Sequence, residues 1–302
     1  MLFRSKYRLK NLRQIKTKGF GLPLFLMFIL FIGSGSYIFY NTNVLNEYYT
    51  EVDTDQIQLA YERKYRQYKS LPMPKTVDVK IEVDIYPYKR RVQTRSIQIL
   101  ENKTKQEINS IHLTFPLNVE IIDVELQGAV LNTADKDLSY YIFDLNKPML
   151  PGDQLILKFE NLIQQQGFPN SDPDTRLVRN GTFINGTQLS PYIGYCECIS
   201  LQEPSKRTDY GLQALHGLAK LEDKSHYNNR YIRQDSVYIK YQAVVSTVTG
   251  QRSLTTGQLV AEWTRGDRSY FSYKIDQPIL NTYSFVSAEY ESVHDQWQDV
   301  AI

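Results

Sequence analysis

Histidine and cysteine are scarce in this chain: its 302 residues include 4 His and 2 Cys. Metal centres draw heavily on these residue types, and the single Cys-x-Cys pair, Cys196 and Cys198, falls short of the four ligands of a structural zinc site. Two cysteines this close also make an awkward intrachain disulfide, so the expectation is two unpaired thiols in a loop. Negative charge is absent from two informative places. Residues 1–18 contain Arg4, Lys6, Arg8, Lys10, Arg13, Lys16 and Lys18 but no acidic residue, and residues 19–40 contain no charged residue at all. No internal repeat is evident.

The uncharged stretch, "GFGLPLFLMFILFIGSGSYIFY", decides how the basic arm is read. As a helix its 22 residues reach about 33 Å, enough for a hydrocarbon core of about 30 Å. A basic arm beside such a stretch is a cytoplasmic flank and not a nucleic-acid tail. A cleaved signal peptide would have a shorter apolar region ending at a small-x-small site. Here "GSGS" is followed by Tyr37, Ile38, Phe39 and Tyr40, an aromatic belt at the membrane interface. The reading is a retained transmembrane helix over 19–40, with residues 1–18 cytoplasmic and everything after Asn41 outside the cytoplasm.

Residues 41–74 read as a helical stalk or linker. Asp53–Tyr68, "DTDQIQLAYERKYRQY", starts acidic and ends basic, with Asp53 or Thr54 as cap. It is dense in charge and lacks a broad apolar face, so it is expected to stand off from any core. From residue 75 the period becomes two: Val77, Val79, Ile81, Val83 and Ile85 alternate with Asp78, Lys80, Glu82 and Asp84. Further short alternating runs follow, among them "VQTRSIQILEN", "INSIHLTFPL", "SYYIFDL", "QLILKFENL", "SVYIKYQAVVSTV", "GQLVAEWTRG" and "RSYFSYKID", separated by turn residues. The fold class is therefore mainly β: an antiparallel sandwich or saddle domain over 75–302, interrupted by an irregular excursion at about 164–233. An excursion of that length inside a compact domain is commonly functional.

Several phrases carry a resemblance: "YNTNVLNEY" after the span, "VDIYPYKRRV", "LSPYIGY", "YIKYQAVVST" and "FSYKIDQPILNTYSFVSAEYE". They resemble the N-terminal β-domain of the M1 family of zinc aminopeptidases, and more closely that of bacterial membrane proteins in which an ABC-2-type permease region is fused to an M1-like periplasmic part. The resemblance spans nearly the whole chain, although none of these phrases is a catalytic signature. It implies a following catalytic domain with G-x-M-E-N and H-E-x-x-H motifs, in which two imidazoles one helical turn apart hold Zn²⁺ and the intervening Glu activates water.

Neither motif occurs here, and His112, His216, His226 and His294 are each read as structural or solvated. The chain therefore has no expected catalytic or metal-binding residue and no cofactor of its own; zinc is expected only in a catalytic domain beyond Ile302. "QPILNTYSFVSAEY" reads as the last strand of the β-domain and "DVAI" as the start of another. The family's N-domain also lends a Gln or Glu to the substrate amine, but "NGTFINGTQLSP" lacks that pattern, leaving Phe183 and Asn185 as the groove-facing candidates. "NSDPDT" lacks the spacing of a calcium loop, and Asn102, Asn180 and Asn185 match glycosylation acceptors.

The function expected is that of a membrane-anchored extracytoplasmic β-domain of an M1-like protein, non-catalytic by itself, serving as scaffold or substrate-side wall for a zinc peptidase domain. Two alternatives stand beside it: the periplasmic accessory arm of an ABC-2-type transporter, and a fragment of an active zinc aminopeptidase. The implied surroundings are the bacterial inner membrane and its lipid, a peptidase domain or permease subunits as partners, and no nucleic acid.

Overall fold

The computed structural model describes residues 21–170, 174–215, 220, 222–224, 235, 237–291, 293, 296–297 and 300–301. The basic segment 1–18, His216, His226, His294, Asp299 and Ile302 lie outside the described residues. The chain divides into two units, one comprising Met1–Tyr48 with Gln166–Pro173 and the other Tyr49–Gln165 with Asp174–Ile302.

In the first unit, helix α1 (Gly21–Phe39) continues through a π-helical turn, Tyr40–Leu45. The two together form one helix of 25 residues, apolar and long enough to cross a membrane. None of the α1 side chains is buried. At its end the polar side chains return to the helix backbone: Asn41 Nδ2 donates to the Tyr37 carbonyl (2.8 Å) and Thr42 Oγ1 to that of Ile38 (3.0 Å). Asn46 Nδ2 donates to the carbonyls of Asn41 (2.8 Å) and Gln166 (2.9 Å), and the Phe168 ring lies 5.8 Å from that of Tyr37. These bonds satisfy backbone acceptors that the helix end would otherwise leave open.

The second unit opens with helix α2 (Glu51–Tyr65), and the cap lies earlier than the sequence reading placed it. Thr50 Oγ1 accepts from the Asp53 amide (3.2 Å), while the Asp53 carboxylate accepts from the Thr50 amide (2.8 Å), a reciprocal capping box. The Thr50 hydroxyl, which also donates to that carboxylate (2.7 Å), and then the Thr50 amide hold the Asp53 carboxyl below its usual range. Asp53 thus serves as the third helical residue of the box and not as the cap.

The strands are β1 (Lys75–Tyr86), β2 (Arg91–Glu101), β3 (Ile108–Thr114), β4 (Glu120–Leu126), β5 (Ala129–Asp135), β6 (Tyr140–Met149), β7 (Gln154–Gln164), β8 (Leu177–Val178), β9 (Gly181–Asn185) and β10 (Tyr192–Ile193). After helix α3 (Pro204–Asp209) come β11 (Tyr238–Val248), β12 (Arg252–Thr255), β13 (Gln258–Arg265), β14 (Arg268–Lys274), β15 (Ile279–Leu280), β16 (Ser284–Ala288), β17 (Gln296–Trp297) and β18 (Val300–Ala301). The large sheet runs β13-β14-β11-β1-β2-β7-β4, with β15 on β11. Two smaller sheets run β10-β3-β6-β5 and β12-β16-β9-β8.

The β class is as the alternation implied, but the large sheet is mixed. β1 and β11 pair in parallel, with Val83 opposite Val245. A parallel pair requires a crossover, and the chain between β2 and β10 supplies it. Of the alternating set on β1, Val79, Ile81, Val83 and Ile85 are buried as expected, whereas Val77 is not. A register shift between Thr76 and Asp78 turns Thr76 inward instead.

Two hydrophobic cores of mixed aliphatic and aromatic side chains result. One gathers Val79, Ile81, Val83, Ile184, Val245 and Phe285, and the other Leu100, Ile111, Leu113, Phe115, Phe143 and Phe159. At the C-terminal end, β18 pairs back on β17, so Val300 and Ala301 have a strand partner within the chain. Asn102, one of the acceptor-motif asparagines, is only 1% exposed; its Nδ2 donates to the carbonyls of Gln106 and Met149, both at 2.8 Å, which leaves that amide closed to modification in the folded chain.

Candidate functional site

The sequence candidates Phe183 and Asn185 both lie on β9 and point the same way, because residues two apart share a sheet face. Register carries that face across the small sheet: Phe183 is opposite Val286 on β16, and Val286 is opposite Leu254 on β12. Phe183 is 51% exposed and Leu254 39%, with Val286 partly buried between them. The other face of the same strands carries Ile184 and Phe285 into the core. The small sheet therefore shows solvent an apolar row that its own fold does not need.

Asn185 is more constrained than its neighbour. Its Oδ1 accepts from Ser284 Oγ (2.8 Å), and its backbone amide donates to Gln188 Oε1 (3.0 Å), which fixes the turn leaving β9. Phe183 is thus the side chain available to another surface, while Asn185 holds the edge of that surface in shape. Leu254 and Val286 were missed by sequence reasoning. Their outward direction becomes visible only once β12, β16 and β9 are aligned.

The open face of the large sheet forms a concave region, a trough of about 610 Å³. Four of its eight charged lining side chains are in ion pairs: Arg95 with Glu82 (3.1 Å), and also with Asp84 beside the trough (2.8 Å), and Lys158 with Glu125 (3.2 Å). Gln242 is opposite both Lys80 and Lys274, so the two lysines flank it in one row across three strands. Neither lysine forms an ion pair among the described residues. The trough offers a polar surface of mixed sign, with Ile97 and Val260 as its exposed apolar points.

The third region corrects the stalk reading. α2 joins the second unit's packing through Leu59, Tyr61, Glu62 and Tyr65, all buried. Tyr65 stacks on Tyr140 with ring centres 3.8 Å apart, and Tyr61 stacks on Tyr195 at 5.1 Å. Glu62, 1% exposed, receives a two-pronged bond from Arg207 of α3, with Nη1 and Nη2 each 2.8 Å from a carboxylate oxygen, and a further contact from Arg66. Burial pushes the Glu62 carboxyl up, but the guanidinium bonds outweigh it and leave the group below its usual range. Arg207 also donates to the carbonyls of Leu201 (2.5 Å) and Gln213 (2.8 Å), tying the excursion to α2. A helix poor in apolar residues is buried here through tyrosine rings and one ion pair, which a search for hydrophobic stripes passes over.

His112 faces this cluster. It is 2% exposed, with Nδ1 2.9 Å from Tyr140 Oη and Nε2 3.2 Å from Ser110 Oγ. Burial pulls its pKa down to about 4, with the Asp144 carboxylate opposing. The imidazole is thus buried and hydrogen-bonded within the protein.

Cys196 and Cys198 are joined in a disulfide, contrary to the expectation of two thiols. The short turn Glu197–Ile199 folds the chain so that the two Cα atoms lie 5.1 Å apart, inside the usual range of about 4.4–6.8 Å. The signal that could have found it is the even number of cysteines, two in the whole chain. Closing so short a loop restricts the unfolded chain by only about 1.6 kcal/mol, roughly half the value for a 15-residue loop. The bridge therefore acts on local shape.

No group of three or more His, Cys, Asp or Glu side chains placed to hold a metal ion occurs among the described residues. The zinc implied by the resemblance thus finds no donor set there. No protein-family model matches the chain, and no curated protein matches it. Among solved structures, the chain is similar to an M1 zinc metallopeptidase from Deinococcus radiodurans at 10% identity and TM-score 0.44, covering 72% of this chain and 42% of that one. It is also similar to a two-domain M1 zinc metallopeptidase variant bound to L-tryptophan, at 10% identity and TM-score 0.44, covering 76% of this chain and 46% of that one. The chain thus spans less than half the length of these enzymes. At such identity and TM-score the likeness assigns no residue of this chain a role.

Proposed function

We propose that this chain is a membrane-tethered, extracytoplasmic β-unit of an M1 aminopeptidase-like assembly, non-catalytic by itself, that supplies the wall against which a zinc peptidase domain is held. Helix α1 is the tether, and the disulfide suits an oxidising compartment on the far side of the bacterial inner membrane. The observation that carries the reading is the outward apolar row Phe183, Val286 and Leu254, on a sheet whose opposite face already fills the core. Contiguous exposed apolar surface is one mark of a face that another body covers. The peptidase domain, on the same polypeptide or another, would bring the zinc and the water-activating Glu.

Capture of the full chain from native membranes, followed by an aminoacyl-substrate assay, tests this reading. Chelator-sensitive hydrolysis should accompany the wild-type chain and fall at least about tenfold with Phe183→Asp, a polar change at a half-exposed position that should leave the fold intact. Hydrolysis that survives Phe183→Asp unchanged, or that stays with this chain after every other polypeptide is removed, contradicts it.

A further inference from the structure

The bridge between Cys196 and Cys198 lies where α2 docks. The Cys196 amide donates to Tyr61 Oη (2.9 Å), and that hydroxyl also meets Thr114 Oγ1 (3.3 Å). Tyr195, immediately before the bridge, stacks on Tyr61, and its hydroxyl is 2.5 Å from Ser200 Oγ, immediately beyond the turn. Glu197, between the two cysteines, pairs with Lys69 just past α2 (2.7 Å). The loop then runs to Leu201, whose carbonyl is held by Arg207, the partner of Glu62. The two cysteines differ in access: Cys196 is buried at 5% and Cys198 is exposed.

We propose that Cys196–Cys198 is a thiol–disulfide exchange site for a dithiol reductant, and that its redox state sets how firmly α2 is held on the β-unit. A thiolate of the dithiol attacks Sγ of the accessible Cys198. The bond to Cys196 breaks, Cys196 leaves as thiolate and takes up a proton, and a mixed disulfide forms on Cys198. The second thiol of the reductant, deprotonated, then attacks its own bridged sulfur and releases Cys198. The protein gains two electrons and two protons, and the reductant becomes a disulfide. With the bridge open, the turn between Tyr195 and Ser200 is no longer constrained to present the Cys196 amide to Tyr61, so the contacts of the loop with Tyr61 and Lys69 loosen together.

The test is hydrogen exchange on the full chain in lipid nanodiscs, oxidised and after dithiothreitol, with a Cys196→Ser/Cys198→Ser double variant as a second mimic of the open bridge. Native protein should show no free thiol before reduction and two after, and reduction should outpace global unfolding. Exchange in residues 59–66 and 195–207 should rise about tenfold or more in both reduced and double-variant chains, while β1 and β2 stay protected. Two free thiols in the untreated protein, reduction only as fast as global unfolding, or unchanged exchange around α2 would each overturn the proposal.

Discussion

The two long helices invert what average hydrophobicity suggests. α1 is almost wholly apolar and buries no side chain within the protein, whereas α2 is dense in charge and buries Leu59, Tyr61, Glu62 and Tyr65. The difference lies in the solvent each helix is built for. A helix that is apolar all round satisfies its backbone internally and can face lipid. A helix with few aliphatics joins a protein core only if each polar group it buries finds a partner, and here Arg207, Thr114, Asp135 and the Cys196 amide provide them.

The contrast is broken most forcefully at Glu62. Replacing Glu62 by Ala leaves the buried Arg207 without its counter-charge, and the β-unit should lose about 3–5 kcal/mol in denaturant unfolding. Leu26→Ala on α1, a 53% exposed position, should shift the same unfolding by less than about 0.5 kcal/mol. Equal effects at the two sites would mean that α2 is not part of the folded core.

Acid provides a second handle. Above pH 6.5, His112 is neutral in both states. Below it, the unfolded chain takes up a proton that the folded chain accepts only near pH 4. Stability should therefore fall by about 3 kcal/mol between those values. His112→Asn should remove that slope while leaving the steeper loss at lower pH, where protonation of Glu62 and Asp135, both held below the usual carboxyl range, costs the folded state their ion pairs. A wild-type slope that survives the substitution would place the titration elsewhere.

Tyr61→Phe sharpens the comparison at the level of one atom. It keeps the ring stack but strands the Cys196 amide, so the expected loss is about 1–3 kcal/mol. The smallest effect belongs to the small sheet. Phe183→Ser should change stability by less than about 0.5 kcal/mol, because the residue is half exposed and its removal opens no cavity. A larger loss there would make Phe183 a core residue and remove the case for an interface.

Legibility in the sequence follows the same division. The alternation of β1 identified Val79, Ile81, Val83 and Ile85, since a period of two needs no knowledge of the partner strand. It misplaced Val77, because a bulge is set by register and not by pattern. The parallel pairing of β1 with β11 was hidden, as its partners lie far apart in the chain. Helix α1, apolar and long enough to cross a membrane, was readable from length and composition alone. α2 was readable as a helix but not as a core element, because its buried residues become legible only through Arg207, Tyr140 and Tyr195, which come from distant segments. In the same way Phe183 stood out within its own segment, whereas Leu254 and Val286 join it only through strand register.

The central claim is that the outward face of the small sheet is covered by a zinc peptidase domain. A photoreactive phenylalanine analogue at position 183, activated in native membranes and followed by mass spectrometry of the adduct, tests it most directly, with the same group at position 26 as the lipid-facing control. The account predicts that the position 183 adduct falls on a polypeptide segment bearing H-E-x-x-H, while position 26 labels lipid. Adducts at position 183 confined to lipid, to permease segments or to solvent quenching would contradict it.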